Sequence, residues 1–88
     1  MSALTATAYT RFVQSVRDLE GVKLHAHEAE TLRGAADARL FGDEDAALLL
    51  GDAFTVLALL ESAGRLETLT VKRLRRDLDE IFSVAAAA

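Results

Sequence analysis

Two histidines and two glutamates crowd one short stretch, His25, His27, Glu28 and Glu30. Side chains of these types hold transition metals and move protons. Their spacing works against both uses. On a helix, residues two apart point about 200° away from each other, so His25 and His27 cannot grip one ion. His27 with Glu30 offers two ligands on one side, where zinc takes three or four. The expected role is a polar helix start, with His25 at the N-cap position and Glu28 three residues on, as in a capping box. No metal and no cofactor is expected.

Catalysis has little else to draw on. The serines lack a nucleophile signature, neither histidine adjoins an acid–base partner, and there is no cysteine and no glycine-rich phosphate loop. The chain does not read as an enzyme.

Asp52 is the oddest acidic residue. It interrupts an apolar stretch, flanked on the helical wheel by Leu48, Val56 and Leu59. A buried, unpaired carboxylate is costly. If the helices on either side of Gly42–Asp43 form a tight hairpin, Arg33 comes roughly opposite, and an Arg33–Asp52 ion pair fixing that register is expected. The other readings are a carboxylate facing a cleft or subunit interface, or plain solvent exposure.

Lys72, Arg73, Arg75 and Arg76 form the one basic cluster. Asp77, Asp79 and Glu80 follow at the right spacing for Arg73–Asp77, Arg75–Asp79 and Arg76–Glu80 pairs, each worth a few tenths of a kcal/mol. A solvated, salt-bridged face is the plain reading. The functional one is contact with an acidic partner or a phosphate backbone. Leu57–Leu78 reads as helix, glycine turn, basic helix, but the residues around Gly64 depart from the helix-turn-helix pattern, which wants an apolar residue where Arg65 stands and a small one where Leu60 stands.

The elements that must position these residues are four helices, expected over about 4–20, 26–41, 44–63 and 69–82, with a frayed tail at 85–88. The first carries Ala8, Phe12, Val16 and Leu19 on one stripe, the second Ala29, Leu32, Ala36 and Leu40, and the fourth Val71, Leu74, Leu78, Ile81 and Phe82. The third is apolar around most of its circumference, which marks it as the central rod. Gly21, Gly42 and Gly64 are the stops, with Val22 folding back on the first helix as in a Schellman motif. Asp43 is the expected cap of the third helix, and Ala29 and Ala36 are expected to meet Ala47 and Gly51 at close approach. Short connections force antiparallel neighbours. The fold class is therefore all-α, a small antiparallel up-down-up-down four-helix bundle in a single domain over 1–88.

Composition bounds the rest. A chain of 88 residues, 51% hydrophobic and 27% charged, suits one globular domain with a thin core. A net charge of −4 gives no global reason to bind nucleic acid. The longest apolar stretch, 46–60, is shorter than the roughly 20 residues a membrane span needs, so no membrane contact is expected and a cytoplasmic location is. The expected function is a non-catalytic protein–protein interaction or regulatory module that self-associates, as a homodimer, or binds another protein through an apolar helix face. Tyr9, Val13, Leu50, Phe54 and Leu57 are the interface candidates. The alternative is a DNA-associated regulator using the basic fourth helix.

Overall fold

Glycine ends three of the four helices. In the computed structural model, which describes residues 3–87, Gly21, Gly42 and Gly64 all have positive φ, at 81°, 72° and 73°. At Gly64 the Arg65 N–H reaches the Leu60 carbonyl at 2.9 Å and the Gly64 N–H reaches that of Glu61 at 3.0 Å. That pair of bonds is a Schellman motif, and the same pattern recurs at Gly42, where Asp43 N–H meets the Ala38 carbonyl. At Gly21 the chain closes differently. The Lys23 and Leu24 amides both reach the Leu19 carbonyl. Val22 is therefore not the residue that folds back: it is 76% exposed, and Leu24 is buried in its place.

These stops delimit α1 (Ala3–Leu19), α2 (Ala26–Leu40), α3 (Ala46–Ser62) and α4 (Thr68–Ala87). Helices joined by such short turns run antiparallel, and the bundle is up-down-up-down with no strand among the described residues. Two ends differ from expectation. α3 begins at Ala46, because Asp43 spends its carboxylate on the Asp45 amide at 2.8 Å, making a turn before the helix starts. α4 does not stop near Phe82 but continues through Ala87, and Ala88 lies outside the described residues.

α1 lies along α4 and α2 along α3, while α2 and α4 also touch across the bundle and the backbones of α1 and α3 make no close approach. The bundle is thus flattened, with α2 and α4 on its short diagonal. Arg39 of α2 stands over the Phe82 ring of α4 at 6.0 Å across that diagonal. Phe12, Val16, Leu24, Leu32, Leu57, Leu74, Leu78 and Ile81 fill the centre.

The helix wrapped by its neighbours is α2, not α3. Ala29, Leu32, Ala35, Ala36 and Ala38 are all buried, and at about 100° per residue they cover half the circumference of α2. Small side chains let the other helices approach it from several sides. α3 buries only Ala53, Leu57 and Leu60. It runs unbroken through Gly51 and Asp52, but on the rim. Ala47 and Gly51 are exposed and make no close approach to Ala29 and Ala36.

Candidate interaction surfaces

One face on α3 and one on α4 depart from an ordinary solvated surface; Leu4, Val22, Phe41 and Leu69 are also exposed, at helix ends and turns. On α3 the exposed residues are Ala47, Leu48, Gly51, Asp52, Thr55, Ala58, Leu59 and Ser62. Helical geometry places all of them on one arc, opposite Ala53, Leu57 and Leu60. Leu48 is 67% exposed and Leu59 64%. Asp52 is the only charge on the arc, and it is solvent-exposed. Arg33 does not reach it: the Arg33 guanidinium pairs with Glu20 at 2.7 Å instead. Glu20, at the end of α1, is the carboxylate that Arg33 meets, and Asp52 is left exposed on the rim of α3.

Of the interface candidates, Phe54 borders this arc and the other four lie off it. Leu57 is fully buried, so it cannot face a partner. Leu50 and Phe54 are half-buried against the core. Tyr9 packs there too and donates its hydroxyl to Asp37 at 2.5 Å, which raises the Tyr9 pKa, the hydrogen bond leading and burial adding. Val13 is half-buried. Since the backbones of α1 and α3 make no close approach and Leu57 is buried, these five residues do not make one surface. The exposed arc of α3 was hidden in the sequence by its neighbours: Leu48 and Leu59 look no different there from Leu57 and Leu60.

On α4, the expected in-helix pairs do not form. Asp77 turns inward, 2% exposed, and accepts Arg11 Nε at 2.9 Å. Glu80 accepts the same guanidinium at 2.8 Å. Arg11, on α1, takes both carboxylates that Arg73 and Arg76 were expected to use. Arg75 lies over the Phe54 ring, 4.8 Å from its centroid, a cation–π contact that ties α4 to α3. The outer face of α4 therefore shows Lys72, Arg73, Arg75 and Arg76, all exposed, against Asp79.

The histidine stretch holds a structural knot. His25 precedes α2 in extended backbone, φ −75° and ψ 159°, so the helical separation from His27 does not apply, and the two rings stack at 5.9 Å. Glu28 accepts the His25 amide at 2.8 Å and both ends of the Arg65 guanidinium at 2.8 and 2.9 Å. Arg65 also bonds the Lys23 carbonyl. This fork ties the α3–α4 turn to the start of α2 and lowers the Glu28 pKa, Arg65 being the main cause. Among the described residues, no three His, Cys, Asp or Glu side chains converge as a metal site. Among the described residues, open grooves lie along α1 at Ala6, Thr7, Thr10, Arg11 and Gln14 and on either side of Arg65.

No protein-family model matches the chain, and no curated protein or solved structure matches it either.

Among the described residues, no helix is long and apolar enough to cross a membrane, and the arc on α3 is too narrow and too interrupted by Asp52 to suggest one.

Proposed function

We propose that this chain is a non-catalytic protein–protein interaction module, working in the cytoplasm, whose docking surface is the outer arc of α3. One observation carries the reading. The arc exposes two leucines and a mid-helix glycine whose missing side chain nothing within the chain requires, since a Cβ at Gly51 would meet no atom within 4 Å. Glycine inside a helix costs about 1 kcal/mol relative to alanine; Gly34 of α2 has the same open space, so it is the two exposed leucines beside Gly51 that set this arc apart. A partner helix lying close along the arc would cover them. Sedimentation tests it. The native chain should associate at high micromolar concentration, and L48E/L59E should be monomeric with unchanged helicity. An association that survives both glutamates removes the arc from the explanation.

A second reading, a DNA-associated regulator using α4, gains from one observation: Arg11 draws Asp77 and Glu80 inward and leaves the outer face of α4 mainly basic. Duplex DNA at about 50 mM salt should then be retarded by the native chain and not by K72E/R76E. No shift at that salt ends this reading.

A further inference from the structure

We infer that the arc of α3 takes the same arc of a second copy, with the two α3 helices parallel and a two-fold axis running along them. This rests on the reading of the arc as a docking surface and adds the occupant and its orientation.

Charge at the edges of the arc decides the orientation. One edge is marked by Phe54 with the Arg75 guanidinium laid over it at 4.8 Å, and Lys72 lies one turn from Arg75 on α4. The other edge is marked by Asp52. It precedes Phe54 by two residues, so it stands about 160° round the helix and only about 3 Å away along the axis. Gly51, Thr55 and Ser62 run down the midline between them, with Ala47 and Ala58 toward Phe54 and Leu48 and Leu59 toward Asp52. α3 carries no lysine or arginine.

At the level of Asp52 and Phe54, this one pair of opposite charges meets its counterpart in only one face-to-face arrangement; Glu61, two turns on along the Phe54 edge, and the exposed Asp43, Glu44 and Asp45 before α3 lie outside that match. If the two-fold axis runs along the helices, left and right edges exchange, and Arg75 of each copy meets Asp52 of the other. If it runs across them, as in an antiparallel pair, edges do not exchange. Arg75 then meets Arg75 and Asp52 meets Asp52, and like charges face each other on both sides. The match is local, because Asp79 stands one turn beyond Arg75. The small midline residues permit the approach: helix axes come to about 8 Å only where side chains are small.

Because the chain has no cysteine, introduced thiols report the geometry directly. T55C and S62C sit on the midline about 10 Å apart along the helix, and each replaces a residue that already carries a side chain. At a concentration where the native chain sediments as a dimer, each variant oxidised alone should give a disulfide-linked dimer. In addition, D52R and R75D should each weaken association about tenfold, and D52R/R75D should recover most of the loss. Cross-linking only when T55C and S62C are mixed means an antiparallel pair; that overturns the orientation and leaves the docking surface standing. A native dimer that cross-links in neither case overturns both. A native chain that stays monomeric overturns self-association, and the docking surface is then judged separately by whether L48E/L59E loses a protein the native chain captures.

Discussion

Asp77 of α4 is almost wholly buried and receives Nε of Arg11 at 2.9 Å, while Arg11 itself is 42% exposed and holds Glu80 with its other nitrogen. The pair is lopsided, and so are the expected costs of breaking it. R11M strands the Asp77 carboxylate without its cation and should be the more destabilising of the two changes. D77N keeps an acceptor in place and leaves Arg11 with both water and Glu80, so it should cost about 1 kcal/mol. Urea unfolding of the two variants checks the order. Equal losses would mean that Arg11 is not what makes the burial of Asp77 tolerable.

The exchange of roles between α2 and α3 has its own test. L57A removes a fully buried side chain from α3 and should cost about 2–5 kcal/mol. L59A, two residues on and 64% exposed, should change the stability of the dilute monomer by less than about 0.5 kcal/mol. A36L on α2 overfills a site with no exposed surface and should cost about 1–3 kcal/mol. Were α3 the wrapped helix, L59A would be a costly change as well.

Fold class, helix number and the three glycine stops were legible in the sequence because each follows from local rules: periodicity of 3.6 and a left-handed residue after the last turn. What lay beyond reach were choices between partners far apart in the chain. Arg33 had Asp52 and Glu20 within plausible reach, and only the packed bundle selects Glu20. Asp77 and Glu80 had arginines four residues before them, yet Arg11, more than sixty positions away, offers a fork held by packing of α1 on α4. The centre of the bundle was misplaced for a related reason. Leucine content measures how much surface a helix could bury, whereas being surrounded requires a helix thin enough to be approached on several sides, and alanine supplies that in α2. On the candidate site, Asp52, Arg75 and Lys72 were visible as oddities, but the arc they border became distinct only once Leu48 and Leu59 were separated from Leu57 and Leu60.

Stability toward acid should depend on the fork between Glu28 and Arg65. The Glu28 carboxylate titrates below its ordinary 4.5, held down by Arg65 and the His25 amide against the opposing effect of burial. A carboxylate with a lowered pKa in the folded state contributes stability above the unfolded value and loses it as pH falls through the folded one. The native chain should therefore lose this contribution below about pH 4.5, on the acid side of the ordinary glutamate value. E28Q and R65M should be less stable at pH 7, and their deficit against the native chain should shrink as pH drops through that window. Thermal melts at pH 7 and pH 3 are enough to see it. A deficit that stays constant with pH would mean that the fork acts by shape alone.

Two glycines three turns apart should respond to alanine with opposite sign. Gly64 has φ of 73°, where an L side chain is strained, so G64A should destabilise by about 1–2 kcal/mol. Gly51 is helical, exposed, and has nothing within 4 Å of an added methyl. In dilute solution G51A should therefore stabilise the monomer by about 1 kcal/mol through helix propensity alone. At concentrations where the native chain associates, the same methyl lies on the midline of the α3 arc and should hold two helices apart, so association should weaken. Melting measured across a range of protein concentrations separates the effects: G51A should lead when dilute and lose its advantage when concentrated. An advantage independent of concentration would mean that no second helix approaches Gly51, and would overturn the close pairing of two α3 helices along this arc.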